Sequence, residues 1–451
     1  MHLSWKEDWD RARARLTAWW ERKGLALCVT APREQPWEDM PEPPKPADVE
    51  RAWTDPVYRA RQAEYELAHT YFGGEAFPYF DTQIGPGNLA TFLGSEPSFA
   101  PETVWYNPCI ADPDNHPPLQ FDPANVWFRR QLAIIEEGLR ISCGRFLVGV
   151  PDLIENIDIL ASLRGAQTLM MDMKVRPGFV KERLMEINQA FFAAFDAIYE
   201  KVRDPWGGNA FAGFRIWGPG KTAKVQCDAS AMFSPKMFAE FVVPALTEQC
   251  RWLDYSLFHL DGTQCIVHLD HLLAIDELDA VEWTPQASLP QGGDPMWYDL
   301  YRRILKAGKS VQAVGVKPEE VLPLLDAVGP DGLFIMTTAR SEAEARRLEE
   351  SSGGFVLSDA TKNEICQLMA QYPQARSALV PALYILQREA GWLPPEGMAE
   401  IARMFGLDPA EVDAVATFYN MLYKKPQGEY VLELCTNVPC QLRGAGAIAD
   451  H

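Results

Sequence analysis

Apolar positions fall along the chain in two different patterns. Between about 141 and 360 they form short continuous runs: "RFLVGVPD", "AFAGFRIWGPG", "YSLFHLDG", "DAVEWTPQ", "SVQAVGVK", "LFIMTTAR" and "GFVLSDA". Runs of that kind predict strands buried on both faces. Helical patterns lie between most of them, such as "PEEVLPLLDAVG" and "SEAEARRLEESSG". In the latter, Ser341 and Glu344 have capping-box spacing. Strand–helix alternation predicts a parallel α/β architecture. About seven runs favour a (β/α)8 TIM-type barrel first and an open doubly wound sheet second.

Elsewhere the pattern is helical. The opening "MHLSWKEDWDRARARLTAWWERKG" reads as a charged amphipathic helix, and "DPVYRARQAEYELAHTYFGGEAFPYFD" as a helix ended by Gly73-Gly74. "EQPWEDMPEPPKPADVE" is acidic, broken by prolines, and reads as a surface loop. After 360 the pattern changes. Leu379, Leu383 and Leu386 share one helical face, with Pro381 near the helix start. Asp408 as N-cap, Pro409 at N1 and Glu411 at N3 mark another helix start. "EYVLELCTN" then alternates as a strand. The expected domains are a barrel over 1–360, a helical bundle over 361–428, and a strand with a polar loop over 429–451.

The 451 residues are 47% hydrophobic and 23% charged, enough for a sizeable core. A formal charge of -20 argues against nucleic acid as a partner, because phosphate binding needs clustered Lys and Arg. It leaves room for an anionic small substrate, which needs one local basic pocket. There is no apolar signal segment and no run of membrane-spanning length. Nine scattered cysteines in such a chain predict reduced thiols and a cytoplasmic address.

In barrels the chemistry sits at the C-terminal ends of the strands. The polar residues ending the runs are therefore the site candidates. His259 and Asp261 in "LFHLDG" point to one face of an extended segment. Such a pair can transfer protons or bind a cation, or can merely satisfy itself at a strand end. Glu282, Trp283 and Arg340 end other runs, and Trp217 ends an earlier one. Trp217 and Trp283 are expected as apolar cavity walls, and Glu282 and Arg340 as substrate contacts. His268 and His271 are read as a surface pair at a helix start. "GPGKTAK" lacks the phosphate-loop spacing, since Arg215 occupies the first glycine position.

Residues about 70–350 resemble the uroporphyrinogen decarboxylase superfamily, which includes cobalamin-dependent methyltransferases. The likeness rests on "FPYFDTQIGPGNLATFLG", "IDILASLRGAQTLMMDMKVRPGFV", "FSPKMFAEFVVPAL" and "LFHLDG". The resemblance implies a TIM barrel with Asp81 as the active-site aspartate and His259 as the site histidine. It implies decarboxylase-like lyase or methyltransferase chemistry on a small molecule, with zinc or a corrinoid protein as associates of the methyltransferase branch. The arginine-rich N-terminal loop of the true decarboxylases is missing. Asp261 stands where the zinc-binding H-x-C motif has cysteine, which favours oxygen and nitrogen ligands.

The C-terminal segment resembles the start of the E-type, thioredoxin-like component of NADH-quinone oxidoreductase. "RSAL-x-PAL", "GWL", "GL-x-PAEV", "VATFY", "P-x-G-x-Y" and "CTN-x-x-C-x-LRG" carry the likeness in order. It implies a helical part leading into a thioredoxin-like ferredoxin domain, and NADH dehydrogenase subunits as partners. The family's [2Fe–2S] cluster takes a C-x4-C and a later C-x3-C. Cys435 and Cys440 match the first pair, half of a ligand set. Two thiolates are expected not to hold the cluster. A piece of a longer sequence, or a joining of two coding regions, would each give this pattern.

Overall fold

The computed structural model describes residues 3–352, 357, 359–425 and 443. The chain folds as two compact units, 1–352 and 353–451. The division falls a little before the sequence boundary at 360.

The first unit is mixed α/β. Its strands are β1 (Ala26–Pro32), β2 (Thr70–Gly74), β3 (Tyr79–Phe80), β4 (Pro97–Phe99), β5 (Val104–Tyr106), β6 (Leu147–Val148), β7 (Asn209–Ala210), β8 (Trp217–Gly218), β9 (Thr222–Gln226), β10 (Tyr255–Asp261), β11 (Ala280–Thr284), β12 (Ser310–Val316) and β13 (Leu333–Thr338). One seven-stranded sheet runs β2-β1-β13-β12-β11-β10-β9. All its neighbours are parallel except β2, which is antiparallel to β1. Parallel order continues in β3 with β6, and in the bridge from Val150 to Phe211. The Asn209 side chain accepts from the Thr222 N–H and donates to the Thr222 carbonyl, both at 2.9 Å, tying β7 to β9. The parallel strands thus follow chain order around a barrel-type winding, with β2 on the edge of the large sheet beside β1. Gly74 turns the chain out of β2 at φ +56°; a Cβ there would meet the Leu27 carbonyl oxygen at 2.1 Å.

The N-terminal ends of the strands are closed by the helix Trp9–Trp20, whose Trp9, Leu16, Trp19 and Trp20 are buried. Trp19 Nε1 donates to Gly332 O and Trp20 Nε1 to Trp217 O, each at 2.9 Å. A buried indole needs such a partner for its N–H. With that end plugged by aromatic side chains, the C-terminal strand ends are the face left for chemistry.

Three expectations need correction. The helix from Pro56 stops at Ala68, and Gly73-Gly74 close strand β2 instead. "AFAGFRIWGPG" is an antiparallel hairpin of β7 and β8 rather than one strand. His268 is buried, with its Nε2 2.9 Å from Ser230 O and its ring stacked on Phe238, so it belongs to the core rather than the surface. Of the run "GFVLSDA", Asp359 and Ala360 open the helix Asp359–Met369 rather than ending a strand, and four of its seven residues lie outside the described ones.

The second unit is helical where described: Asp359–Met369, Leu379–Ala390, Pro395–Phe405 and Pro409–Phe418. Leu379, Leu383 and Leu386 are buried together with Ile401, Ala402 and Val412. Asp408 caps the last helix, accepting from Ala410 N at 2.8 Å. The strand expected over "EYVLELCTN", with Cys435 and Cys440, lies outside the described residues.

Candidate functional site

Strand register places a row of partners across six parallel strands. Gln226 pairs with His259, His259 with Glu282, Glu282 with Gln312, Gln312 with Phe334, and Phe334 with Ala26. Four of the six are polar, which a purely structural interior would avoid, since buried polar groups need partners. Their partners lie partly within the row and partly just beside it. His259 Nδ1 makes a short hydrogen bond to Glu282 Oε2, and Thr284 Oγ1 donates to Glu282 Oε1 at 2.7 Å. Gln312 Nε2 donates to Phe214 O at 2.7 Å.

His259 is held in one orientation by the fully buried Glu282. Burial works against the imidazolium, but the charge and hydrogen bond of Glu282 outweigh it, so the His259 pKa is raised. Nε2 is the nitrogen left to face the strand ends. There Asp228, His259 and Asp261 bring one ligand atom each within 4.8 Å of one another. Asp228 lies two residues beyond the end of β9 and is not among the sequence candidates. Gln226 Nε2 donates to its Oδ2 at 2.9 Å. Asp158 fixes the turn by accepting from the N–H groups of Asp228 (2.7 Å) and Ala229 (2.9 Å). Burial, and then the like charge of Asp158, push the Asp228 carboxyl up to about 6, against the opposing charges of His259 and Lys224.

Two carboxylates and an imidazole whose other nitrogen is fixed by a buried carboxylate suit a divalent cation. Among the described residues no cysteine joins this triad. Cys265 is buried and accepts from Ser230 Oγ at 3.4 Å, so a thiolate zinc set does not fit.

Below the triad sits a buried charge network. Lys224 is 1% exposed and pairs with Asp152 at 2.8 Å. It also makes a short hydrogen bond to Gln226 Oε1. Glu155 accepts from Gln226 N at 2.6 Å, and burial pushes its carboxyl up to about 8 despite the nearby Lys224.

The β7–β8 hairpin tip reaches into the ring. Gly213, Phe214 and Arg215 take φ values of +79°, +47° and +52°. The left-handed region costs a non-glycine residue roughly 1–2 kcal/mol, so two consecutive cases are held by their surroundings. The Phe214 ring lies 4.7 Å from that of His259. Arg215 borders two cavities, one of about 380 Å³ and one of about 310 Å³.

Asp81 lies on the wall of the larger cavity, together with Tyr79 and Arg215. It follows β3, and its carboxylate accepts from the N–H and the amide of Gln83, each at 3.1 Å. Burial raises its pKa, with the Gln83 N–H and the Arg59 charge opposing. The structure thus brings His259, Asp261 and Glu282 together and sets Asp81 on the wall of a cavity that Arg215 also lines. The other three expected contacts line neither of these two cavities. Trp217 is buried against Trp9 with its Nε1 on Asp204, at 2.7 Å. Trp283 is fully buried against Trp297 on the opposite face of β11 from Glu282. Arg340 is 88% exposed and engaged with Glu344 at the surface. Alternation along a strand explains Trp283: its neighbour Glu282 faces the interior, so Trp283 faces the helices.

Residues 365–451 match the family model of the thioredoxin-like [2Fe-2S] ferredoxin. The same part is 44% identical over 85 residues to the E-type component of NADH-quinone oxidoreductase from Mycobacterium bovis, covering 19% of this chain and 34% of that protein. It is 41% identical over 90 residues to the second E-type component of the same enzyme from Rhizobium meliloti, covering 20% and 54%. The chain thus spans between about a third and a half of these curated relatives. A solved methyltransferase from Methanosarcina mazei is similar at 12% identity and a TM-score of 0.49, covering 76% of this chain and 97% of that one. Among the described residues no helix is long and apolar enough to cross a membrane.

Proposed function

We propose that residues 1–352 are an enzyme that binds a divalent cation through Asp228, His259 and Asp261 and acts on a small molecule at the C-terminal mouth of the ring. The observation that carries this is the convergence of those three ligand atoms at the ends of two adjacent parallel strands, with Glu282 fixing the imidazole from behind. A bound cation supplies Lewis-acid polarisation of a substrate oxygen. Glu282 holds the His259 proton at Nδ1 and so keeps Nε2 for the ligand side. Asp81, whose pKa burial raises, is the group placed to exchange a proton at the neighbouring cavity. A hard oxygen and nitrogen set supports lyase-type chemistry on a carbonyl or carboxyl group over thiol activation. Methyl transfer from a corrinoid partner would call for the softer thiolate set.

The test is calorimetric titration of the metal-free chain with Mn2+, Mg2+ and Zn2+. One site per chain is expected, weakened at least about tenfold by His259→Ala and by Asp228→Asn. Equal uptake by both variants and the wild type would remove the site.

A second reading concerns residues 365–451, and the ferredoxin match favours it. This part corresponds to the docking portion of an electron-transfer component that associates with NADH dehydrogenase subunits. The family's cluster takes four thiolates, and Cys435 and Cys440 are the two in its C-x4-C loop. After anaerobic iron–sulfide reconstitution, the 451-residue chain is expected to lack broad [2Fe–2S] absorption. Bands that vanish in Cys435→Ser would show instead that a cluster forms on this loop.

A further inference from the structure

We infer that Arg215 is the anchor for a substrate carboxylate. The inference deepens the enzyme reading above and rests on it for the identity of the ligand as substrate, though not for binding itself.

Three independent observations point the same way. The first is position. Arg215 borders both cavities, one reaching Asp81 and the other reaching Thr30 and Thr338, so the residue stands between the two. The second is its lack of partners. Among the described residues no carboxylate lies within 4 Å of it, although the chain holds 20 more acidic than basic groups. Most other arginines near the ring are engaged: Arg59, on the same cavity, donates to the carbonyls of Trp53, Gln83 and Asp81. Lys317, on the smaller cavity's rim, is already paired with Glu320 at 3.0 Å. A half-buried guanidinium left without a counter-charge is unfavourable unless an anion completes it.

The third is backbone strain. Phe214 and Arg215 both adopt left-handed φ values, and the tip is held by the Gln312 amide on the Phe214 carbonyl. Strain at a non-glycine pair, locked by a buried side chain, marks a residue whose direction matters. The same tip lays Phe214 on His259. One short segment therefore touches the cation-site histidine with one residue and presents a free cation with the next.

The chemistry favours a carboxylate over a phosphate. One planar guanidinium matches one carboxylate in a bidentate fork. A phosphate dianion would call for further donors, and the acidic Asp81 faces the same cavity. The substrate class is thus a small organic acid whose carboxylate sits on Arg215 and whose reacting end lies toward the Asp228, His259 and Asp261 triad. Thr30 and Thr338, hydroxyl to hydroxyl at 3.2 Å, offer donors on the smaller cavity's wall.

The experiment is a titration of the EDTA-treated full chain with succinate, propionate and inorganic phosphate, followed by tryptophan fluorescence and calorimetry. The two carboxylates are expected to bind the wild type more tightly than phosphate. Arg215→Ala should weaken them at least tenfold, and Arg215→Lys by less. Arg340→Ala, at an exposed arginine paired with Glu344, should leave metal-free carboxylate binding within about twofold, which shows that the loss at Arg215 is local. Far-ultraviolet circular dichroism monitors folding of each variant, and Arg215→Lys keeps the test open should Arg215→Ala unfold. Failure of both carboxylates to bind the wild type, equal binding by wild type and Arg215→Lys and Arg215→Ala, or tighter phosphate binding would each overturn the assignment. Loss of cation binding with intact carboxylate binding would overturn the cation site alone.

Discussion

The two units handle their interiors in opposite ways. The inner row of the first unit carries Gln226, His259, Glu282 and Gln312, with Lys224 and Glu155 buried beside it. The described core of the second unit is aliphatic, built from leucine, isoleucine, alanine, methionine and valine. Burying charge costs free energy unless every group is matched, so an interior like the first is kept for what it does rather than for stability. An interior like the second needs only volume and periodicity. Chemistry in the first unit is therefore a matter of geometry. The second unit, where described, is an ordinary helical scaffold.

The sharpest way to break this contrast is to remove the cation at the centre of the first interior. Lys224→Met should leave Asp152 and Glu155 without their nearest positive charge. Breaking one side of a buried pair costs about 3–5 kcal/mol. Lys224 is 1% exposed, so solvent screening offers little relief. Urea unfolding of the first unit should show a loss of that size. A loss under about 1 kcal/mol would mean that the network is not closed, and the contrast between the interiors would weaken.

Next in size is a pH effect. Burial raises the Glu155 carboxyl to about 8 from an ordinary value of 4.5, with Lys224 opposing. The folded state then binds this proton more tightly than the unfolded state. Its contribution is complete below about 4.5 and is lost as pH rises through about 8, at up to about 1.4 kcal/mol per pH unit. The stability difference between wild type and Glu155→Gln should shift against the wild type from pH 5 to pH 9. A difference flat across that range would show Glu155 ionised throughout.

These same residues explain what can be read from the sequence. β10, β11, β12 and β13 are legible because their apolar runs are nearly unbroken. β9, "TAKVQ", is hidden because Lys224 and Gln226 interrupt the run. Asp228, two residues beyond it, is hidden with it. The strand that serves the site most is thus concealed by the side chains that serve it. His259 and Asp261 are visible because they end a clean run, and Asp81 because a motif carries it. Trp217 and Trp283 mislead because the end of an apolar run does not tell which face a side chain takes. Arg215 stands out only as spoiling a phosphate loop, and nothing in its neighbours' pattern signals a hairpin tip folded inward. In the second unit the periodic leucines and the Asp408 cap are plain, since no chemistry competes with the pattern there.

A smaller effect probes how far the polar row reaches. Glu282→Gln keeps the shape but removes the charge that orients His259. Loss of such a partner weakens metal binding roughly 10–100-fold. Mn2+ titration should show a shift of that order while carboxylate binding in metal-free protein stays unchanged. An unchanged Mn2+ affinity would mean that Glu282 does no more than pair with His259.

The smallest effect belongs to the second unit. Asp408 accepts from Ala410 N at 2.8 Å and stands at an extended backbone position before Pro409. Removing such a cap costs about 1 kcal/mol. In Asp408→Ala, hydrogen exchange should quicken across Pro409–Phe418 by a factor of about five, the same free energy expressed as an opening equilibrium. The first unit's amides should not change, because an aliphatic bundle can lose a terminal hydrogen bond without disturbing a matched set of charges. An effect of several kcal/mol would mean that this helix end carries an interaction beyond its cap. The second interior would then not be governed by volume and periodicity alone.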